Sequence, residues 1–227
     1  NDAKNNERFL KENKEAYEVH KLIVDMWNYC FDAEIECMKS KKTLLWITML
    51  NLVQTRLYGM LCALYLGDIP ACYMFMRLIL EGVIDSVIAT VKFPDLEFPL
   101  NIDELEKFER KNKLSFADKC KYHLPPWAKD ITDDCIKLWR NLSKYWLHAS
   151  GFMKKLQQIF EELAEKQKNK STRASLPMWI LALPYTYDKS DIEDLKTLGK
   201  HLETLYKVIR KLLDPFILQH GLAHKGR

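Results

Sequence analysis

The stretch that decides the fold is Ala71–Val91, which reads ACYMFMRLILEGVIDSVIATV. Its charged residues, Arg77, Glu81 and Asp85, are spaced four residues apart, which places them within an arc of about 80° on an α-helix. Every other face of that helix is apolar, and a helix that is apolar nearly all round is buried. We therefore expect the three charges either to pair inside a helical bundle or to line a polar cleft.

Two apolar segments, Leu44–Leu66 and Ala71–Val91, have the length of a membrane-spanning helix. The first carries Arg56, and the second carries three charges near its middle. Each central charge costs about 2.5–3.5 kcal/mol on an insertion scale, whereas a Leu or Ile gains only a few tenths. We interpret both segments as core helices of a soluble protein that has no membrane partner.

The composition is typical of a folded helical protein. The 227 residues are 48% hydrophobic, and only 7 Gly and 8 Pro interrupt them, which favours few and long helices. A net charge of +4 is compatible with a nucleic-acid partner without requiring one.

The six cysteines have neither CxxC nor zinc-finger spacing, so we expect buried free thiols. The polar opening of the chain lacks the apolar core of a signal peptide, which predicts a cytoplasmic location.

The whole chain, residues 1–227, is predicted to be a single all-α domain, because the sequence has no strand alternation and no internal repeat. We expect an up-and-down bundle of four or five long helices, the first running from about Asn6 to Met38. Gly67 suits the position after a helix end, and Asp68 can cap the next helix with Pro70 in its first turn. These residues predict a tight corner between two antiparallel helices.

Residues 93–131 are predicted to form a short helical insertion on the side of the bundle. The insertion begins with a proline-containing loop over Phe93–Leu100. Asn101 and Glu104 resemble a capping box, which predicts a helix over about 102–112.

The last helix is predicted to begin at a capping box formed by Ser190 and Glu193. We expect Pro215 to stop this helix after about Leu213, because proline has no N–H for the helical hydrogen bond. The tail over about 219–227 is expected to be frayed.

A second polar cluster lies in the helix predicted to begin near Thr132, in the segment WRNLSKYWLHAS over Trp139–Ser150. One side of that helix carries the parts for general acid–base work on a phosphodiester: Arg140, Asn141, Lys144, Tyr145 and His148. His148 would move the proton, and the neighbouring cations would stabilise the charge that develops on phosphate. The alternative is a histidine hydrogen-bonded into the bundle core beside basic surface residues.

The attraction between the charges of Ala71–Val91 is too weak to offset the free-energy cost of burying them. An exposed Arg–Glu pair contributes only about 0.2–0.5 kcal/mol, whereas buried charges cost several kcal/mol unless they are well paired. We expect either a cleft whose polar floor is Arg77, Glu81, Asp85 and Ser143, or an additional cation from another helix. The candidates for that cation are Arg140, Lys144 and His148. The alternative is a structural ion network without catalysis.

The segments Leu57–Val91, with its MRLILEG, and Trp139–Ser150, with its RNLSKYWLHAS, together resemble the HEPN-type helical bundles. More narrowly, they resemble an uncharacterised prokaryotic family in or near that group. The resemblance covers about a fifth of the chain. It implies a metal-independent ribonuclease or RNA-binding protein of a toxin or defence type, which needs no cofactor and works as a homodimer.

The HEPN signature is an Arg, often followed by Asn, and a His after four to six intervening residues. Arg140 and Asn141 match its opening and His148 its close, but seven residues separate Arg140 from His148 here. The extra residue turns His148 by about 100° on an ideal helix. The resemblance implies that His148 is the general acid/base and that Arg140 with Lys144 holds the phosphate, while Asn141 and Tyr145 orient the site.

Two other functions stay open from the sequence. A non-catalytic bundle with a structural polar network would bind another protein, and a small-ligand binder would use the aromatic and Met-rich interior. The sequence has no P-loop, GxGxxG, GxSxG or HExxH motif, which argues against nucleotide-hydrolysing and dinucleotide-dependent enzymes. His220 and His224 have the spacing of metal ligands but no third ligand nearby, so we predict no metal site.

Overall fold

A computed structural model describes residues 2–144 and 186–221, and all regular structure in these two ranges is helical. The prediction of an all-α protein is confirmed. The α-helices are α1 (Asp2–Glu12), α2 (Lys14–Lys39), α3 (Thr43–Ile47), α4 (Thr55–Tyr65), α5 (Ile69–Lys92), α6 (Leu100–Asn112), α7 (Phe116–Asp118), α8 (Thr132–Leu142) and α9 (Ile192–Gly221). The π-helical segments are Thr48–Gln54, between α3 and α4, and Lys119–His123, and the 3₁₀ turns are Pro126–Ile131 and Lys189–Asp191. Over the described part of the chain, the longest apolar helices fall short of what a membrane crossing requires.

The corner between α4 and α5 has the predicted construction. Gly67 has a φ of 76°, in the left-handed region that favours glycine. The Asp68 carboxylate accepts a hydrogen bond from the backbone N–H of Ala71 at 3.0 Å, and Pro70 lies in the first turn of α5. The prediction of a tight Gly67–Pro70 corner is therefore confirmed.

The prediction of one continuous helix from Asn6 to Met38 is wrong, because Asn13 separates α1 from α2. Its backbone is extended, with φ −111° and ψ 115°, and its amide donates to the Phe9 carbonyl at 2.8 Å. Asn side chains form such local bonds in competition with helical ones. The break lets α1 fold onto the end of α4, where the buried Asn6 amide donates to the Tyr65 carbonyl at 3.0 Å.

Helices α2 and α9 form the longest helix pair of the core and run in the same direction. Near the start of both helices, Gly199 of α9 packs against Val19 of α2. A Cβ added at Gly199 would lie 3.4 Å from the Val19 side chain. Further along, the Tyr29 hydroxyl donates to Asp214 at 2.7 Å, and its ring packs edge-on against Tyr206. The contacts advance along both helices together, which fixes their parallel orientation.

Helix α8 lies against α9 with the opposite direction. Lys207 pairs with Asp134 at 2.7 Å, whereas the later Lys211 pairs with the earlier Asp130 at 3.0 Å. Because α8 also contacts α5, it brings the segment before residue 144 to the charged side of that helix.

The π-helical segment Thr48–Gln54 packs closely on α5. A Cβ at Gly82 would lie only 2.0 Å from Leu52 Cδ2, so the absence of a side chain there permits the close approach. Beside it, the buried hydroxyls of Thr48 and Ser86 share a hydrogen bond of 2.7 Å. Close packing at Gly82 and the hydrogen bond between Thr48 and Ser86 thus join the π-helical segment to α5.

Helix α6 begins at Leu100, so the prediction that Asn101 caps it is wrong. Pro99 already has helical angles, with φ −88° and ψ −4°, and the first turn forms directly after it. Asn101 is buried within that turn, where its side-chain oxygen accepts from the N–H of Ile102 at 3.0 Å. A complete capping box occurs instead at α7, between Ser115 and Asp118.

Helix α9 begins at Ile192, directly after a 3₁₀ turn that includes Ser190, and continues through Pro215 to its end. The prediction that Pro215 stops the helix is wrong. Contacts on both sides of the proline keep the helix in place, because Asp214 bonds Tyr29 and Phe216 packs edge-on against Trp127. Packing therefore outweighs the local cost of the proline, about 3 kcal/mol in a helix interior.

We expect Gly67→Ala to lower the free energy of unfolding by about 1–2 kcal/mol, because a Cβ disfavours the left-handed backbone. Gly199→Ala is the control, since this residue lies inside α9 and its Cβ would make an ordinary contact with Val19. Chemical denaturation followed by circular dichroism measures both variants. Equal stability of Gly67→Ala and the wild type would contradict the assigned corner.

Candidate functional site

The charged side of α5 forms the first half of the candidate site. Arg77 Nε pairs with Glu81 Oε1 at 2.9 Å, and the Trp139 indole N–H of α8 donates to the same oxygen at 2.6 Å. The Arg77 guanidinium also lies 4.9 Å from the centre of the Trp139 ring, which stacks on Phe116 at 5.2 Å. One indole thus joins α5, α7 and α8.

Lys119 forms the second half of the site. Its ammonium group lies 2.5 Å from Asp85 Oδ1 of α5 and 3.1 Å from Glu109 Oε1 of α6, and only 11% of its side chain is exposed. We call Arg77, Glu81, Asp85, Glu109, Lys119 and Trp139 the polar network. Its three carboxylates face two cations, so the network carries one net negative charge when all of its groups are ionised.

Burial controls the charge states of the Lys119 pair. It raises the pKa of Asp85 to about 6, because the attraction of Lys119 offsets the lost hydration only in part and Glu109 and Glu81 repel the negative charge. Burial alone would lower the pKa of Lys119, but Asp85 and Glu109 more than compensate and hold it above its ordinary value. The ammonium group therefore stays charged at neutral pH.

The additional cation beside the α5 charges comes from outside α8, where the sequence predicted it. We expected Arg140, Lys144 or His148, but the cation that pairs with Asp85 is Lys119. The signal that could have indicated it is the capping box at Ser115, which begins α7 and sets the turn in which Lys119 lies. Trp139 is the second partner of the α5 charges that the sequence did not indicate.

The structure places the predicted floor residues Arg77, Glu81 and Asp85 along one side of α5, and Ser143 just after α8. Arg77, Glu81 and Asp85 are half-buried, and the polar network uses all three. Ser143 is buried, and its hydroxyl donates to the Trp139 carbonyl of its own helix at 2.8 Å.

The predicted catalytic residues of α8 and its extension lie on its outer side as far as the structure describes them. Arg140 and Lys144 are exposed, and Asn141 is half-buried. With the exposed Lys137 one turn earlier, they form a basic stripe, which we define as Lys137, Arg140 and Lys144. Tyr145 and His148 lie outside the described residues.

No group of three or more His, Cys, Asp or Glu side chains in residues 2–144 and 186–221 is arranged to hold a metal ion. The cysteines are free, and all but the half-buried Cys62 are buried. Burial raises the pKa of Cys30 and of Cys37 to about 12, so these thiols stay protonated at neutral pH.

We expect Lys119→Met to lower the free energy of unfolding by about 2–4 kcal/mol, because it leaves Asp85 and Glu109 together without their cation. Lys107→Met is the matched control, since Lys107 pairs with Glu104 on the exposed side of α6 and such pairs contribute at most about 1 kcal/mol. Urea unfolding measures both. Similar losses for the two variants would contradict the structural role of Lys119.

The Asp85 carboxyl predicts a pH dependence of stability. Because its folded-state pKa is raised from 3.8 to about 6, its contribution to stability is greatest below pH 4 and is lost as the pH rises through 6. Relative to Asp85→Asn, the unfolding free energy of the wild type should fall by up to about 3 kcal/mol between pH 4 and pH 7. Urea unfolding at a series of pH values measures this difference, with Asp95→Asn in an exposed loop as the control for a lost negative charge. A difference that stays constant across the series would contradict the raised pKa.

No protein-family model, no curated protein and no solved structure matches this chain.

Proposed function

We propose that the chain is a HEPN-like protein that binds RNA through the basic stripe of α8 and cleaves it without a metal ion. The proposal rests on one observation: the cations of the stripe are exposed and form no ion pair with another described residue. Lys137, Arg140 and Lys144 are exposed along one side of α8, and none of them forms an ion pair with another described residue. By contrast, Lys207 and Lys211 of the adjacent α9 each have a carboxylate partner.

The stripe suits a phosphodiester, because exposed cations contact phosphate oxygens without first breaking a protein ion pair. In the proposed reaction Arg140 and Lys144 stabilise the negative charge that develops on the phosphate oxygens. His148 transfers the proton as the general acid/base, and Asn141 and Tyr145 orient the reacting group. The active form is proposed to be a homodimer in the cytoplasm.

The polar network supports this assignment as a positioning device. The bond from Trp139 to Glu81 and the stacking of Arg77 on the indole restrict the rotation of α8 about its axis. Because Arg140 follows Trp139 directly, an inward Trp139 directs Arg140 towards solvent.

A second function is favoured by a different observation. The charges of the polar network pair with one another, Arg77 with Glu81 and Lys119 with both Asp85 and Glu109. This closed pairing is what a non-catalytic interaction module with a structural polar network would have. In that case Glu81→Ala would lower the thermal stability and change no activity on RNA.

The test is a ribonuclease assay in EDTA on a pool of structured and unstructured RNAs. We expect the wild type to cleave and His148→Ala to lose cleavage while keeping its helical circular dichroism. Arg140→Ala should lower the rate by about 10²-fold, the usual effect of removing a group that stabilises developing charge. Arg110→Ala is the control, because Arg110 is exposed and pairs with Glu106 on α6.

The outcomes separate the two functions. Cleavage by His148→Ala at the wild-type rate would exclude this histidine as the acid/base. If no variant cleaves but RNA binding weakens when the stripe is neutralised, the protein binds RNA without cutting it. Neither cleavage nor binding, together with a less stable Glu81→Ala variant, would favour the interaction module.

A further inference from the structure

An open groove with a volume of about 510 Å³ runs along α9, beside α2 and the 3₁₀ turn Pro126–Ile131. Small-molecule sites in proteins usually have volumes of about 300–1,000 Å³, so the groove has the size of a ligand site. Its surface is part apolar and part charged. We define the α9 groove by six of the residues that line it: Leu22, Ile131, Glu203, Tyr206, Arg210 and Asp214.

Arg210 is the groove cation that has no carboxylate partner within the described chain. Lys207 also lines the groove, but its ammonium group pairs with Asp134 of α8. Lys211 is likewise paired, with Asp130 of the 3₁₀ turn. The Arg210 side chain is exposed to the groove and is therefore the one that can take an anion without first breaking an ion pair among the described residues.

Two tyrosine rings hold the Arg210 guanidinium in place. Its Cζ atom lies 5.6 Å from the centre of the Tyr29 ring and 6.0 Å from the centre of the Tyr206 ring. Tyr29 is itself fixed, because its hydroxyl donates a hydrogen bond of 2.7 Å to Asp214. A guanidinium that is ordered before binding loses less side-chain entropy, and its planar N–H groups match the two oxygens of a carboxylate.

The carboxylates around Arg210 favour a ligand with a single negative charge. Glu203 lies two helical turns before Arg210, and Asp214 lies one turn after it. The residues that line the groove include three acidic and three basic side chains, so its net charge is zero. A polyanion such as RNA would be repelled by Glu203 and Asp214, because like charges brought close together cost free energy.

We propose that the α9 groove binds a small organic acid, which carries one carboxylate on an aromatic or aliphatic body. The carboxylate accepts two parallel hydrogen bonds from Arg210. The apolar body packs on Leu22, Ile131 and Tyr206, where it removes apolar surface from water. This site lies on a different helix from the basic stripe and does not depend on the proposed function.

Ligand-observed NMR on the full chain tests the proposal, with 3-phenylpropionate and octanoate as the aromatic and aliphatic probes. We expect at least one of them to bind with a Kd of about 1 mM or tighter. The matching amide, 3-phenylpropionamide or octanamide, keeps the body but has no charge. It should bind about 10- to 100-fold more weakly, because the charge-assisted bonds to Arg210 are lost.

The variant Arg210→Gln locates the site. It should weaken binding of the acid by about 10- to 100-fold and leave binding of the amide unchanged. Lys200→Gln is the matched control, since Lys200 is an exposed cation on α9 outside the groove. This control should bind the acid with the affinity of the wild type.

Three results would overturn the proposal: neither acid binds, an acid and its amide bind equally well, or a folded Arg210→Gln variant binds the acid as the wild type does. If Arg210→Gln loses its helical circular dichroism, the comparison of acid and amide on the wild type decides. An acetylated tripeptide that ends in a free phenylalanine carboxylate is a third probe. Binding more than about tenfold tighter than that of 3-phenylpropionate would assign the groove to the end of a polypeptide and overturn the small acid.

Discussion

Lys119 is the residue on which the arrangement of the candidate site depends. Helix α5 has a charged side within an otherwise apolar surface, and the half-buried Asp85 needs a cation nearby, because the protein replaces its lost hydration only in part. The ammonium group that meets this need belongs to a residue 34 positions away, in a short π-helical segment. By bonding Glu109 as well, it holds α6 and the segment after α7 against the bundle. This ion pair adds to the apolar contacts by which Leu105, Phe116 and Cys120 of the insertion join the core.

The charged side of α5 also determines which side of α8 faces the bundle. The same side of α5 presents Glu81 to the Trp139 indole and Arg77 to its ring, so α8 packs with Trp139 inwards. The basic stripe then faces solvent, and none of its three cations forms an ion pair with another described residue. In the proposed function the network and the stripe have separate roles: the network orients α8, and the stripe binds phosphate. The network itself would be an unsuitable phosphate site, since its own carboxylates occupy its cations.

The sequence by itself determined the helical class and the corner at Gly67, because periodicity and capping residues act within a few positions of the chain. It also singled out the α5 charges, whose burial had to be compensated. Tertiary structure decided what local patterns do not encode. Lys119 became the partner of Asp85 only when a distant turn packed on α5, and α9 passes Pro215 because contacts on both sides hold it. Asn13 divides the first helix so that α1 can reach the end of α4. At Pro215, contacts between residues far apart in sequence outweigh a local cost of about 3 kcal/mol.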